Sequence, residues 1–328
     1  MATFPDFLRQ KQRFLLTGHE NPDGDCLGAQ AALYHLLKAL GQQVVIVNPD
    51  PIGRSFDFLT RHTPFGHARG EDPLPEFDTV VLLDCNQMSR VGQLGQRLLQ
   101  KRPTVAVVDH HVGGDAGDGM VHYVDVKAAA TGALVRRLYR ELGVPLGAAA
   151  AEGVFLSLVA DTGWFRYSNA DAEVFAMAGE LIASGVDGSR IYDALYRRNH
   201  PDSAGVLADA LARHRLKLGG RLAMAALDKA LMERATRADF DTDGVLDPLR
   251  SIEGVEVVAL LKERFDGAVK CSLRARGDVD VQAIVAQFGG GGHKKAAGAT
   301  MKMTLAAAEA ALEGAVQQAL LAQAARVT

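Results

Sequence analysis

Four short stretches of the chain carry the residue types that bind divalent cations. His19-Glu20-Asn21-Pro22-Asp23-Gly24-Asp25 packs an imidazole among carboxylates, and Asp84 ends the apolar run Val80-Val81-Leu82-Leu83. Asp109-His110-His111 follows the run Thr104–Val108, and Asp161-Thr162-Gly163 follows Gly-Val-Phe-Leu-Ser-Leu-Val-Ala. Imidazole and carboxylate together suit ions of the Mn, Zn and Fe type. In an Asp-Gly-Asp turn, Gly24 lets the backbone tighten so that Asp23 and Asp25 can face two different ions. Adjacent side chains point apart, so His110 and His111 divide their work: one binds metal and the other faces substrate, with Asp109 orienting a ring as hydrogen-bond acceptor. Each piece alone has an ordinary explanation. Pro-Asp-Gly is a common surface turn, and a lone acid such as Asp84 is more often a cap or a loop residue. The sum is different. His19, Asp23, Asp25, Asp84, His110 and Asp161 are too many donors for one open ion. They fit two ions about 3.5–4 Å apart that share a carboxylate, the arrangement used for in-line displacement at phosphorus.

Such donors need elements that end at one place. Strands are predicted over Arg13–Thr17, Val44–Val47, Thr79–Leu83 and Thr104–Val108, and helices over Leu27–Leu40, Ala130–Leu142, Ala148–Ala160 and Ala172–Ser184. Runs such as VVLL and VAVV do not alternate, so their strands are covered on both faces. Strands alternating with helices imply a parallel sheet in an α/β layer fold, whose ligands sit beyond the carboxyl ends of the strands. Trp164, Phe165 and Tyr167 follow the last acid; Phe165 reads as core, while Trp164 and Tyr167 fit either core or a nucleobase-stacking role. Gly185–Gly188 breaks the pattern, and the polar stretch after it reads as a connector. The expected division is a catalytic domain over 1–188, a linker over 189–211 and a second, smaller α/β domain over 212–328. That domain has strand-like runs at Leu222–Leu227, Val255–Leu261 and Val269–Arg274, a glycine cluster at Gly289–Gly292 that opens toward a helix-like segment, and a closing helix over Leu305–Ala325.

Composition bounds the function class. The 328 residues carry 36 Lys+Arg against 39 Asp+Glu, a net charge of −3, which argues against a protein that coats long nucleic acid. Residues 1–211 hold 19 basic and 25 acidic side chains and the remainder 17 and 14, so the net charges are −6 and +3. An acidic half suits cations and a mildly basic half suits phosphate. Cys26, Cys85 and Cys271 form no CxxC pair, as expected in a reducing compartment. No signal peptide or membrane-length apolar run is evident, which points to the cytoplasm.

The order HENPDGD, LLDCN, VVDHHV, ADTGWF resembles the DHH phosphoesterase superfamily. The string from Gly289 to Gly298, GGGGHKKAAG, resembles the DHHA1 signature. Together they cover almost the whole chain and are similar to the bacterial bifunctional oligoribonuclease/pAp phosphatases of the nano-RNase type. Ala29 departs from the serine common in the first motif, without touching a metal donor. The resemblance implies that His19 and Asp23 ligate one ion, that Asp25, His110 and Asp161 ligate the other, and that Asp84 bridges. It implies two divalent cations, manganese first, with catalytic roles for His111 and Asp109 at the scissile phosphate. It further implies a site in a cleft between the domains, where Gly290, Gly291, Gly292, His293, Arg274 and Arg250 bind substrate phosphate. Expected substrates are RNA of two to five nucleotides and mononucleotide bisphosphates such as 3′-phosphoadenosine 5′-phosphate. Long duplexes and membranes are not expected partners, and a homodimer is compatible with the sequence. Competing readings are a cyclic- or linear-dinucleotide signalling phosphodiesterase, a pyrophosphatase, and a non-catalytic nucleotide-binding module. The module reading predicts loss of a metal donor, and all six are present.

Overall fold

The computed structural model describes residues 3–10, 13–113, 120–197 and 200–327, with side chains to residue 323. The chain divides into two compact units, Met1–Arg198 and Asn199–Thr328.

The first unit is a parallel sheet layered with helices. Its strands are β1 (Arg13–Thr17), β2 (Gln43–Asn48), β3 (Phe65–His67), β4 (Thr79–Leu83), β5 (Thr104–Asp109) and β6 (Val121–Val124), in the order β3-β2-β1-β4-β5-β6. Every pairing is parallel. Its helices are α1 (Phe4–Gln10), α2 (Gly24–Ala39), α3 (Gly92–Gln100), α4 (Thr131–Leu142), α5 (Ala148–Asp161), α6 (Ala172–Ala183) and α7 (Gly188–Tyr196). The non-alternating strands are buried on both faces because successive residues enter different cores. Val81 and Leu83 join Phe14 and Leu16 under α2, α4 and α5, whereas Val80 and Leu82 join Leu15 under Leu94 and Leu98 of α3. From β1 the chain winds outward through β2 and β3, then returns to β4 on the other side of β1. The β1–β4 boundary is therefore the point where strand order reverses, which is where sheets of this kind open a crevice at their carboxyl edge.

The second unit holds α8 (Ser203–Ala212), β7 (Arg215–Lys217), β8 (Leu222–Leu227), α9 (Lys229–Arg237), α10 (Leu246–Arg250), β9 (Val257–Glu263), β10 (Val269–Ala275), α11 (Val281–Ala286), β11 (Gly291–His293), β12 (Ala296–Met301) and α12 (Leu305–Val327). Its sheet runs β11-β12-β10-β9-β8-β7, with β8–β9 parallel and the other pairs antiparallel. One face packs on α11 and α12 through Met224, Leu261, Leu273 and Met301, among others. The opposite face of β8 and β9 is covered through Ala225, Val258 and Leu260, together with Val206 and Leu231 from α8 and α9.

The expected linker over 189–211 differs from the structure. Most of it is helix: α7 belongs to the first unit and α8 to the second, with Val206 and Ala210 of α8 in the second unit's core. The glycine cluster also differs. It does not open into a helix; Gly291–His293 is an edge strand that turns into β12. Among the described residues no helix is long and apolar enough to cross a membrane. The three cysteines are buried and unbridged.

Candidate metal centre

His19 lies just beyond β1, and Asp84 directly follows β4, so the strand-order reversal brings them to neighbouring positions at the sheet edge. Asp23 caps α2: its Oδ1 accepts from the backbone N–H of Asp25 (3.0 Å) and Cys26 (3.1 Å), which fixes the start of the helix. Asp84 has φ +58°, a left-handed conformation that Asp tolerates better than most residues.

The donors fall into two triads. Ligand atoms of His19, Asp23 and Asp84 lie within 4.8 Å of one another, as do those of Asp25, His110 and Asp161. Asp84 faces both. Its Oδ2 is 3.3 Å from His19 Nε2, and its Oδ1 is 3.5 Å from His110 Nε2. His110 Nε2 also sits 3.1 Å from Asp161 Oδ2 and 3.4 Å from Asp25 Oδ2. Both imidazoles are turned by their other nitrogen: His19 Nδ1 is 2.8 Å from the Glu20 carbonyl and His110 Nδ1 is 3.0 Å from the Ala128 carbonyl. Each Nδ1 therefore carries the donated hydrogen, and each Nε2 is aimed into the acids.

Asp25 is fully buried, and its carboxylate is cradled from remote parts of the chain. Thr131 N–H donates to Oδ2 (2.8 Å), Gly132 N–H donates to Oδ1 (3.2 Å), and the Ser157 hydroxyl also donates to Oδ1. The first two donors open α4, whose amino-terminal dipole favours an anion there. Ser157 in turn accepts from Gly132 N–H at 2.8 Å, and Thr131 Oγ1 donates to Asp84 Oδ1 at 3.2 Å. These three residues escaped the sequence reading. Ser157 had one signal, a hydroxyl in the middle of an apolar run.

Cations fit these donors. His110 Nε2 is buried and, although ringed by three carboxylates, makes no well-aligned hydrogen bond. That is the condition of a ligand atom in want of a positive charge. Burial and the carboxylates of Asp84 and Asp161 push Asp25 well above the usual carboxylate range. Burial alone would lower His110, but Asp161, Asp84 and Asp25 outweigh it and raise it to about 11. The metal-free cluster thus retains a proton at neutral pH, whereas a ligating imidazole must be neutral. Manganese binding is expected to release at least one proton, and apparent affinity should rise with pH across the range below about 11. Calorimetric titration in buffers of different ionisation enthalpy measures this directly; binding with no proton exchange would contradict it.

The remaining predicted residues are placed as follows. Asp109, at the end of β5, is fully buried, and its Oδ1 accepts from His110 N–H and from His111 Nδ1, both at 2.8 Å. His111 thus has its ring turned by Asp109. Asn86, which the sequence reading did not single out, donates to the carbonyls of His111 (3.3 Å) and Gly113 (2.6 Å) and fixes the loop behind that ring. In the second unit, Arg274 lies on β10 with Nη2 3.6 Å from Asp243 Oδ2. Asp243 Oδ1 accepts from the buried Lys262 at 2.7 Å. His293 and Arg274 both pair with Ala296 of β12, so the two lie in one row across the sheet. Gly291 pairs with Gly298 two rows away. Arg250 pairs with Asp247 of its own helix at 3.1 Å. Gly290 and Gly292 have a packing role as well: a Cβ there would lie 2.4 Å from the Gly298 carbonyl and 2.6 Å from the Ala296 carbonyl, whereas at Gly291 it meets open space.

Comparison with known proteins finds matches along most of the chain. Residues 13–158 match the DHH family, N-terminal domain, and residues 239–320 match the DHHA1 domain. The chain is 36% identical to the bifunctional oligoribonuclease and PAP phosphatase NrnA of Thermus thermophilus over 87% of its own length and 82% of that protein. An exopolyphosphatase-related protein from Bacteroides fragilis superposes with a TM-score of 0.86 at 22% identity, covering 96% of this chain and 94% of the other. RecJ from Thermus thermophilus in complex with Mn²⁺ shares the fold with a TM-score of 0.55 at 17% identity, covering 95% of this chain and 54% of that one.

Proposed function

The chain belongs to the DHH family of phosphoesterases, with a DHHA1 domain behind the DHH domain, and from that premise we propose that it is a manganese-dependent hydrolase of short oligoribonucleotides and of 3′-phosphoadenosine 5′-phosphate. RNA of two to five nucleotides, linear dinucleotides included, would yield mononucleotides, and the bisphosphate would yield AMP. The observation that carries this reading is the pair of triads with Asp84, a member of the first, also facing His110 of the second at the strand-order reversal. The 36% identical relative, named for both activities, supports the substrate class.

His19, Asp23 and Asp84 would hold one cation, and Asp25, His110 and Asp161 the other, with Asp84 common to both. Two such ions supply Lewis-acid charge at the phosphoryl oxygens and a water nucleophile active near neutral pH. The chain's own residues do the rest. Asp25 is kept in place by Thr131, Gly132 and Ser157. Asp109 commits His111 Nδ1 to itself, so proton transfer to or from the phosphate ester would run through Nε2. In the second unit Arg274 and His293 are the proposed substrate-phosphate contacts, beside the backbone of Gly290–Gly292. Arg250, tied to its own helix, is the weakest of the proposed contacts.

The test is a panel of substrates with Mn²⁺: 3′-phosphoadenosine 5′-phosphate, the linear dinucleotide pGpG, a five-nucleotide RNA, a cyclic dinucleotide and pyrophosphate. Turnover of the first three is expected. Turnover confined to the cyclic dinucleotide or to pyrophosphate would overturn the reading. Arg274→Ala should raise KM by about 10- to 100-fold, the worth of a charge-assisted hydrogen bond, with kcat little changed. A fall in kcat at constant KM would remove Arg274 from the binding role.

A further inference from the structure

One surface of the first unit takes no part in the chemistry above. The loop that leaves Asp161 carries Trp164 and Phe165 at φ +57° and +63°, a left-handed backbone that bulky residues rarely adopt without a structural reason. The loop is pinned throughout. Trp164 N–H donates to the Val159 carbonyl (2.8 Å), Phe165 N–H to Thr162 Oγ1 (3.1 Å) and Arg166 Nε to the Gly163 carbonyl (2.7 Å). Its far end returns to the metal centre, where Asn169 Nδ2 donates to the Asp161 carbonyl at 3.1 Å.

The strained turn sets rings in two layers. Trp164 backs edge-on against Phe155 of the core, with centroids 6.2 Å apart, and meets Tyr192 of α7 at 5.0 Å and Tyr196 at 6.3 Å. Tyr192 and Tyr196, one helical turn apart, lie 4.9 Å from each other. The Tyr167 ring lies over Gly163, where a Cβ would come within 2.4 Å of its Cζ. The outer rings are partly exposed, Tyr167, Tyr192 and Tyr196 by 43%, 40% and 48%. Two guanidinium groups accompany them, Arg166 5.9 Å from the Tyr167 ring centre and Arg197 5.7 Å from that of Tyr192. Arg197 also pairs with Asp193 at 3.0 Å.

Exposed rings interleaved with arginine are the combination that single-stranded nucleic acid uses, because every base has a π-face and every linkage a negative charge. The ring that backs this ledge, Trp164, stands three residues past the metal donor Asp161, so a strand whose phosphate sits at the metals would have bases within reach of it. Resting on the proposed hydrolysis of short RNA, we infer that Tyr167, Tyr192 and Tyr196 form a stacking subsite for the bases of nucleotides beyond the one being cleaved. The ledge then favours oligonucleotides over mononucleotide bisphosphates, which have no second base to place there.

The experiment compares the wild type, Tyr192→Ala/Tyr196→Ala and Tyr192→Phe/Tyr196→Phe on 3′-phosphoadenosine 5′-phosphate and on RNA of two, three and five nucleotides, with Mn²⁺. The alanine pair should raise KM for three- and five-nucleotide RNA by about 5- to 100-fold, the range for one lost base–aromatic stack. KM for the bisphosphate should stay within about twofold, and the phenylalanine pair should restore oligonucleotide KM, since stacking needs the ring and not the hydroxyl. Unchanged oligonucleotide KM in the alanine pair would overturn the subsite. So would an equal loss on the bisphosphate, or a change of oligomeric state by light scattering, which would make the ledge a protein interface. Failure of the wild type on every substrate would sink the proposed activity itself, a separate outcome.

Discussion

Replacing Asp84 with asparagine is expected to lower Mn²⁺-dependent hydrolysis by at least about 10³-fold while leaving the fold in place; removing a partner one shell outside a metal already costs about 10- to 100-fold, and a shared donor should cost more. Asparagine is the informative substitution because of the backbone. Asp84 sits at φ +58°, where asparagine is tolerated and alanine is strained. The amide oxygen can still accept from Thr131 Oγ1. What changes is charge and donor sense. Burial would raise the Asp84 carboxyl, but His110, His19 and the nearby His111 hold it below the usual carboxylate range, so it is an anion throughout the working pH range. The substituted amide is neutral, and its N–H₂ would face His19 Nε2, the nitrogen that should meet a cation. The one carboxylate that faces both triads is therefore lost. Single-turnover rates, Mn²⁺ calorimetry and a melting curve check this: hydrolysis within tenfold of wild type would show that Asp84 is not shared between two ions.

How much of this site can be read in a sequence depends on how the positioning is done. The ends of β1 and β4 follow from apolar runs bounded by His19 and Asp84, because burial of both strand faces leaves a continuous signal. The donors themselves are legible for the same reason: polar residues at the ends of buried runs have few purposes. Short edge strands such as Phe65–His67 and Val121–Val124 are not legible, since they span three and four residues and none of those residues is buried. Helix α7 reads as connector because only Ile191 and Ala194 of its nine residues are buried. The glycine run looks like a flexible phosphate loop, yet Gly290 and Gly292 are small because β12 passes directly against them. The cradle around Asp25 is least legible of all. Two of its three donors are backbone N–H groups more than one hundred positions away in the chain, and a backbone amide has no letter of its own.

A second large effect is expected from the smallest possible addition. Glycine to alanine inside a helix ordinarily stabilises it by up to about 1 kcal/mol, and Gly179 of α6, whose added Cβ would meet nothing, should behave that way. Gly28 of α2 should do the opposite. Its Cβ would lie 2.3 Å from the Gly153 carbonyl and 2.9 Å from the Ser157 N–H, while a Cβ on Gly153 would lie 2.7 Å from the Gly28 carbonyl. These contacts are with backbone, so no side-chain rotation relieves them; α2 and α5 must move apart. Overpacking of this kind costs about 1–3 kcal/mol, and since the helix-propensity gain is common to both sites, Gly28→Ala should lie below Gly179→Ala in stability by about that amount. The crossing also spaces the metal donors, because α2 carries Asp25 and α5 carries both Asp161 and the Ser157 that holds Asp25. Separating the helices stretches the second triad, and misplacement approaching 1 Å can cost about 10²-fold in rate. Denaturation midpoints and Mn²⁺ affinities of the two variants test both parts. If Gly28→Ala were as stable as the wild type and bound Mn²⁺ as tightly, the close approach of α2 and α5 would have no part in building the site.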